Sequence, residues 1–377
     1  MSARTVIATI ALLFFFAPIG LRAVGVTARP FENRPLATPP ELAQGWDALK
    51  QGRNFLVDRM PLREQAVRAD AWISQNVFDT APGAGRANAG GGGLPFKPPA
   101  PAKPAKPAPA VAVDRAIAGR QGWLFLEGEL SRACYPISPL GQTIARWERF
   151  GAIIRHSGRR VVIVMPPDKS TVYPEYLPAV HPLRDCAIAG HRAAWQAIDG
   201  ARDPSILGLR TLMTATKRPP PDESYFRKDT HWNTKGGMLA LQAVLDRVGG
   251  GVRLRPDEIV RGRATYTGDL TNISGAPEAD TSPQWTIRRR ASATTIRGRV
   301  LFVHDSYGSA MLDGLEAYAP GFTQLEWVAV TNAQLIAAIG SADTVILETV
   351  ERELTFRASD DGLLTPVFRR ELQRGLR

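Results

Sequence analysis

The stretch Val300-Leu301-Phe302-Val303-His304-Asp305-Ser306-Tyr307-Gly308 runs from apolar residues directly into a tight polar turn. The apolar part predicts a buried strand, and strands that are apolar on both faces are typical of a covered parallel sheet. In open α/β sheets, functional side chains lie beyond the carboxyl ends of the strands. Asp305 and Ser306 occupy such an end and are therefore candidate site residues. Capping of the following helix is the alternative role for either side chain.

Strands and helices alternate on both sides of this stretch. Apolar runs predict further strands at 161–165, 325–330 and 344–347, and residues 119–128 form a turn that leads into a short strand. Amphipathic patterns predict helices at 139–157, 234–248, 309–319 and 333–339. The alternation indicates the α/β class, a three-layer sandwich around a mostly parallel sheet.

A second polar stretch, Phe226-Arg227-Lys228-Asp229-Thr230-His231-Trp232-Asn233, places a carboxylate two residues before an imidazole. In an extended segment these two side chains point the same way, so Asp229 can reach Nδ1 of His231. The resulting hypothesis is an acyl transferase or hydrolase in which Ser306 attacks, His231 takes its proton and Asp229 fixes the tautomer of the histidine. A histidine held by a nearby carboxylate is also often structural, so the hypothesis depends on both stretches together.

The composition limits the possible partners. A net charge of +11 and a sequence pI of about 10.0 favour acidic partners, whereas 44% hydrophobic residues is typical of a globular chain. The sequence has no arginine-rich helix, zinc-finger spacing or aromatic ribonucleoprotein motif, so we expect no nucleic-acid partner. The five histidines are scattered, and the spacing predicts no metal site.

The amino-terminal residues predict export. Residues 6–21 are apolar except Thr9 and lie between Arg4 and Arg22, a pattern typical of an export signal. An uncleaved signal anchor over residues 1–25 is favoured because no small-x-small cleavage site follows, and about 16 to 20 apolar residues can just span a bilayer. A removed signal peptide and a buried helix are the alternatives. With either signal, the rest of the chain lies outside the cytoplasm.

Three further segments follow. We expect a helical, membrane-proximal lead-in at 26–81, a linker rich in Pro, Gly, Ala and Lys at 82–113, and a folded domain at 114–377. Outside the cytoplasm, Cys134 and Cys186 would form one disulfide that closes a loop of about 50 residues. Two unpaired buried thiols are the alternative.

Several short motifs together resemble a known family, the SGNH-hydrolase-like polysaccharide O-acetyltransferases of the alginate acetylation type. The resemblance covers about residues 119–354 and part of the lead-in, and it excludes the linker. Besides Asp-x-His early and Asp-Ser late, it is carried by Gly122-Trp123-Leu124-Phe125, Pro167-Asp168-Lys169 with Val172-Tyr173-Pro174-Glu175, Thr267-Gly268-Asp269-Leu270, Glu348 to Leu354, Glu32-Asn33-Arg34-Pro35 and Asp58-Arg59.

The resemblance implies an SGNH-hydrolase-like, flavodoxin-like fold and an enzyme of the periplasm or cell envelope that acetylates hydroxyls of a polysaccharide. Ser306 would be the nucleophile, His231 the base and Asp229 its orienter. A membrane-bound O-acyltransferase would supply the acetyl group, because acetyl-CoA is cytoplasmic, and no cofactor or metal is then required. The alternatives are a secreted carbohydrate acetylesterase with the same triad and a non-catalytic polysaccharide-binding assembly subunit.

One departure from the family pattern affects the nucleophile turn, because His304 stands where the family usually has glycine. The usual oxyanion blocks are also not evident, so the candidate oxyanion donors are Ser306, Asn272 and Gly268. Candidate contacts to the sugar or acetyl donor are Lys169, Tyr173, Trp232 and Tyr307.

Overall fold

The computed structural model describes residues 115–288, 294–360 and 362–376. The predicted signal segment, lead-in and linker lie outside these residues and stay predictions. Within the described ranges, no helix combines the length and the apolar character needed to cross a membrane.

The strands are β1 (Ala116–Ala118), β2 (Leu124–Leu126), β3 (Arg160–Met165), β4 (Ile206–Gly208), β5 (Ile259–Thr267), β6 (Ala279–Ile287), β7 (Val300–His304), β8 (Thr323–Glu326) and β9 (Thr344–Glu348). The α-helices are α1 (Glu127–Cys134), α2 (Leu140–His156), α3 (Lys169–Val172), α4 (Arg184–Asp199), α5 (Arg210–Ala215), α6 (Thr234–Val248), α7 (Asp269–Ile273), α8 (Leu312–Tyr318), α9 (Asn332–Ser341), α10 (Leu354–Arg357) and α11 (Pro366–Gly375). Short 3₁₀ helices cover Pro174–Tyr176, Pro256–Glu258, Ser306–Met311 and Glu351–Glu353.

Five strands form the central sheet in the order β4-β3-β9-β7-β8, and every neighbouring pair is parallel. Successive residues of β3 alternate between two hydrophobic cores: Val162 and Val164 face the layer that contains α6 and α8, whereas Ile163 faces the layer of α2, α9 and α11. Because both faces of the sheet are covered, its strands read as continuous apolar runs. The predicted α/β class with a mostly parallel sheet is confirmed.

Two predicted elements differ in detail. The apolar run at 325–330 is a strand only to Glu326, since Trp327 begins a turn in which its indole Nε1 donates to Glu348 O and Val328 is exposed. The helix predicted at 309–319 begins earlier, as the 3₁₀ turn from Ser306, and becomes α-helical only at Leu312.

An antiparallel hairpin, β5 with β6, was not predicted. Its strands pair over nine residues each, from Ile259 opposite Ile287 to Thr267 opposite Ala279. Most side chains of β5 are exposed or half-buried and polar, so the sequence lacks the apolar run that marks the central strands.

Helices α1 and α4 are joined by a disulfide between Cys134 and Cys186, whose Cα atoms are 5.3 Å apart. The two helices approach closely because α4 has Gly190 at the crossing, where a Cβ would lie 2.1 Å from Ala133 O. The bond therefore fixes a tightly packed pair, which matches an oxidising compartment.

Replacing both cysteines with alanine should lower the free energy of unfolding by roughly 4 kcal/mol, because the bond closes a loop with a sequence separation of 52 residues. Urea unfolding followed by circular dichroism measures the loss, and the wild-type protein in reductant is the matched control. Equal midpoints for oxidised and reduced wild-type protein would show that the bond does not stabilise the fold.

Candidate functional site

The segment 226–231 is a bent loop that is closed at its base. Tyr225 and Trp232 form an antiparallel bridge, and the Phe226 amide donates to His231 O at 3.1 Å. Asn233 follows as the N-cap of α6, where its side chain accepts from the Gly236 amide at 3.1 Å. The start of α6 therefore fixes the end of the loop.

The side chains of Asp229 and His231, both in this loop, are aligned with Ser306, which lies in the turn after β7. Asp229 Oδ1 lies 2.6 Å from His231 Nδ1, and His231 Nε2 lies 2.8 Å from Ser306 Oγ. The same Asp229 oxygen also accepts from the His231 amide at 3.0 Å. Because an ionised carboxylate can only accept, Nδ1 carries the proton that faces it. Nε2 is then the acceptor for the Ser306 hydroxyl.

The premise of an extended segment was wrong. Residues 227–231 form consecutive bends, and the carboxylate reaches the ring because the backbone curves around it. The side-chain contact that the spacing predicted is nevertheless present.

The side chain of Asp305 caps the turn that carries Ser306, so the Ser306 hydroxyl is not needed as a cap. Asp305 follows β7 and caps the 3₁₀ turn, because Oδ1 accepts from the Tyr307 amide at 3.0 Å while Oδ2 accepts from the Val350 amide at 2.9 Å. Capping is therefore the role of Asp305, and Ser306 stays exposed with its hydroxyl on His231.

A second carboxylate, Asp269, adjoins the triad and was not assigned a role by the sequence. It accepts from the Thr230 amide at 2.7 Å and from Thr230 Oγ1 at 2.6 Å, and its Oδ2 lies 3.6 Å from His231 Nδ1. Its own amide donates to Asp229 Oδ2 at 2.9 Å. The Thr-Gly-Asp-Leu motif was the available signal, since it contributed to the family resemblance, but it gave Asp269 no role of its own.

Gly268 makes this contact possible. A Cβ there would lie 1.8 Å from Lys228 O and 3.0 Å from the Asp229 amide nitrogen, so the start of α7 touches the loop backbone only because the residue is glycine. Gly268 thus has a packing role, and donation from its amide to an oxyanion stays a prediction. Asn272 lies half-buried on α7, and Ser306 is the first residue of the 3₁₀ turn. Donation to an oxyanion from the Asn272 side chain and from the Ser306 backbone amide stays a prediction.

The electrostatics of the site favour an ionised aspartate beside the histidine. Burial alone would raise the pKa of Asp229, but the charge of His231 and its hydrogen bond lower it to about 2. Burial opposes the charged form of His231, yet Asp229 and then Asp269 raise its pKa above the ordinary value of 6.5. Burial, followed by the charge of Asp229, raises the pKa of Asp269 to about 6.

Lys169 supports the loop from beneath and does not reach solvent. It is 0% exposed, and Nζ donates to Asp229 O at 2.5 Å and to the carbonyls of Phe226 and Arg227 at 3.3 and 3.4 Å. Burial lowers its pKa to about 8. The predicted substrate contact of Lys169 is therefore corrected to a positioning role, because its ammonium group donates to backbone carbonyl oxygens of the loop.

The three aromatic candidates are also buried, and each hydroxyl or indole nitrogen is bonded within the protein. Tyr307 Oη donates to Thr230 O at 2.7 Å, Trp232 Nε1 donates to Tyr307 O at 2.7 Å, and Tyr173 Oη donates to Arg218 O at 3.2 Å. The bonds of Tyr307 and Trp232 join the loop to the turn that carries Ser306, whereas Tyr173 bonds the segment that precedes the loop. Their predicted contact with the sugar is corrected for this reason.

His304 is compatible with the turn despite the departure from glycine. Its ring is 2% exposed, stacks on Phe302 with centroids 4.7 Å apart, and bonds Asp305 O through Nδ1 at 2.6 Å. The adjacent Gly308 makes room, since a Cβ there would lie 2.4 Å from His304 Cβ. The imidazole therefore packs beneath the nucleophile turn.

Together the fold and the site define a class: α/β proteins with a serine, a histidine and an aspartate aligned at the carboxyl edge of a parallel sheet. Within that class, the family described as SGNH hydrolase-like domain, acetyltransferase AlgX, matches residues 116–311, just over half of the chain. The chain belongs to this family.

Individual relatives are more distant. The "Probable alginate O-acetylase AlgJ" of Pseudomonas putida is 25% identical over 164 residues, which are 42% of this chain and 41% of that protein, so the match spans well under half the length of the relative. The Bacillus cereus PatB1 structure with a sulfonyl adduct has a TM-score of 0.50 at 13% identity, covering 65% of this chain and 97% of that one, and supports the fold. The O-acetyltransferase domain of Pseudomonas putida AlgJ has a TM-score of 0.47 at 20% identity, covering 69% of this chain and 99% of that one.

The protonation state of His231 should control the reactivity of Ser306. We expect the rate of Ser306 labelling by a sulfonyl fluoride to rise with pH, with a midpoint above 6.5 because the neighbouring carboxylates raise the pKa of His231. In Asp269→Asn the lost negative charge should lower that pKa and move the midpoint to lower pH. Mass spectrometry of the labelled peptide measures the rate, and Asp185→Asn, at an exposed position, is the control. Identical midpoints for the wild type, Asp269→Asn and Asp185→Asn would contradict this role of Asp269.

Gly268→Ala should lower the free energy of unfolding by about 1–3 kcal/mol, because the added methyl group displaces the backbone of Lys228. The displaced loop should also slow the labelling of Ser306. Gly262→Ala in β5 is the matched control, since its Cβ would meet Gln284 O at an ordinary 3.6 Å. Equal urea midpoints for the two variants would show that the close approach is unimportant.

Proposed function

We propose that this chain is an O-acetyltransferase that moves acetyl groups onto hydroxyls of an extracytoplasmic polysaccharide through an acetyl-Ser306 intermediate. The observation that carries the proposal is the alignment of Asp229, His231 and Ser306, with 2.6 and 2.8 Å between consecutive partners. Family membership over residues 116–311 supports acyl transfer as the chemistry.

In the first half-reaction, Ser306 Oγ attacks the carbonyl carbon of the acetyl donor while its proton passes to His231 Nε2. The tetrahedral intermediate collapses when His231 returns this proton to the leaving oxygen, and the acetyl group remains on Ser306. Asp229 stabilises the transient imidazolium and keeps Nε2 aimed at Ser306.

In the second half-reaction, a sugar hydroxyl gives its proton to His231 Nε2 and attacks the acetyl carbon. Ser306 Oγ then leaves and regains the proton, so the enzyme returns to its starting state. The Ser306 amide, first in the 3₁₀ turn, and the Asn272 side chain are the proposed donors to the oxyanion in both steps.

The wider context rests on the relatives and on charge. A net charge of +11 favours an acidic polymer, and the name of the AlgJ relative refers to alginate. The disulfide between α1 and α4 supports a location in the periplasm or cell envelope. There the predicted amino-terminal segment would hold the chain at the membrane, next to a membrane-bound O-acyltransferase that supplies acetyl groups.

The test incubates the purified chain with an activated acetyl ester, with and without oligosaccharides that contain uronic acid or only neutral sugars. Acetylated oligosaccharide, detected by mass spectrometry, is the expected product. Acetate alone, with every oligosaccharide unmodified, would favour the carbohydrate acetylesterase.

Ser306→Ala should lower the transfer rate by roughly 10³-fold or more, because it removes the nucleophile. The Asp305 cap is unaffected, so circular dichroism and the urea midpoint should stay close to wild type. Ser309→Ala, an exposed serine in the same turn, is the matched control and should keep its activity. Full transfer activity in Ser306→Ala would leave the non-catalytic assembly subunit as the remaining hypothesis.

A further inference from the structure

A second group of buried polar side chains lies behind the triad, and the proposed acyl transfer does not use it. It contains Glu129 of α1, Asp168 before α3, His191 of α4 and Glu351 of the 3₁₀ turn after β9. Their exposed fractions are 0, 0, 4 and 7%. One ligand atom each of Asp168, His191 and Glu351 lies within 4.8 Å of the others.

We propose that Glu129, Asp168, His191 and Glu351 bind one divalent transition-metal ion, with Zn²⁺ as the best match to the donor set.

In each of these side chains, one polar atom is fixed by the protein. Glu129 Oε2 accepts from the Ser170 amide at 3.0 Å, and Asp168 Oδ1 pairs with Arg352 Nη1 at 2.5 Å. His191 Nε2 lies 3.0 Å from Ser170 Oγ. Glu351 Oε2 accepts from Thr171 Oγ1 at 2.7 Å and from the Asp168 amide at 3.0 Å.

Of the four opposite atoms, two are unpaired and two form an ion pair with each other that a metal ion would replace. Within the described part of the chain, Glu129 Oε1 and Asp168 Oδ2 are buried and have no hydrogen-bond partner. Glu351 Oε1 and His191 Nδ1 are hydrogen-bonded to each other at 2.7 Å. A fixed outer atom and a free inner atom is the arrangement that orients metal ligands, and histidine ligands typically bond a further partner through their second nitrogen.

Space and charge also fit a cation. All four side chains line a cavity of about 30 Å³, enough for one ion or about two waters. Three carboxylates face it. Arg352 pairs with Asp168 and His191 pairs with Glu351, whereas Glu129 has no ion pair among the described residues, so a cation would find an unbalanced carboxylate here.

One imidazole nitrogen with carboxylate oxygens is a donor set that suits Zn²⁺, which binds such atoms at about 2.0–2.2 Å. His191 gives up its Nδ1 proton on binding, and its Nε2 proton then donates to Ser170 Oγ. The sequence predicted no metal because the histidines are scattered. The four residues are far apart in the sequence, and the fold brings them together because their four segments meet at this point.

An ion here would support the catalytic elements from behind. Asp168 precedes Lys169, which holds the 226–229 backbone, and Arg352 Nη1 also lies 3.4 Å from Tyr307 Oη. The ion is therefore structural, and its loss is measured through binding and stability.

The test uses the full chain purified without a histidine tag. Elemental analysis by inductively coupled plasma mass spectrometry gives the metal content, and calorimetric titration of chelator-stripped protein with Zn²⁺, Mn²⁺ and Ca²⁺ gives the affinities. We expect about one Zn²⁺ per chain, a dissociation constant below about 1 μM, and a melting temperature that rises on binding.

His191→Ala removes a donor, and Asp168→Asn replaces a charged carboxylate oxygen with a weaker, neutral amide oxygen, so each should weaken Zn²⁺ binding on the order of 100-fold. Ser170→Ala keeps all four donors and removes only the outer partner of His191, so it should weaken binding about 10-fold even if the donor variants fold poorly. His156→Ala, a histidine on the exposed side of α2, is the control and should bind as wild type.

Two results would overturn the proposal. Stripped wild-type protein that binds none of the three ions at about 100 μM would show that protons balance the charge of the cluster. Zn²⁺ binding that persists in His191→Ala but is lost in His231→Ala would place the ion at Asp229, His231 and Asp269. Neither readout depends on acetyl transfer, so failure of the proposed function would leave this test intact.

Discussion

The site depends on one buried cation, the ammonium group of Lys169. Removing an ammonium group from water is costly, and here the cost is offset by three carbonyl oxygens of the 226–229 loop, by nearby acidic groups and by the ring of Phe125, whose centroid is 5.1 Å from Nζ. These carbonyls belong to the segment that carries Asp229. The position of the carboxylate is therefore determined by a side chain at the start of α3, which follows the carboxyl end of β3.

Around this support, buried polar groups rather than apolar contacts set the geometry. Asp269 receives two hydrogen bonds from Thr230 and gives one to Asp229, so both carboxylates are fixed before any substrate binds. Their combined charge keeps the histidine proton on the Asp229 side of the ring and raises the basicity of Nε2. Such preorganisation lowers the reorganisation needed when charge develops in the transition state.

The sequence predicted the parts of the structure that depend on local pattern. The apolar runs at 161–165 and 344–347 indicated buried parallel strands, and the polar turn after Val303 indicated a site at their carboxyl ends. Spacing alone could not distinguish side chains that face substrate from those that face the protein. Lys169 and Tyr307 are polar residues in the correct region, but the direction of each is set by tertiary packing.

The roles of Asp269 and the buried cluster were beyond sequence reasoning for a related reason. Asp269 reaches the triad only because Gly268 lets two backbone segments touch, a contact between positions about 40 residues apart. The hairpin of β5 and β6 was missed because its strands are polar. Hydrophobic periodicity does not indicate a strand when neither of its faces is fully buried.

Ser306 is exposed, and the side chain of His231 is 15% exposed, whereas the residues that support them are buried. In the free protein the reactive oxygen is therefore open to water. An acyl group held there is protected only when an acceptor covers it, since exclusion of water is what separates transfer from hydrolysis. Under the proposed transfer to a polysaccharide, a long polymer that lies across this surface would itself close the site.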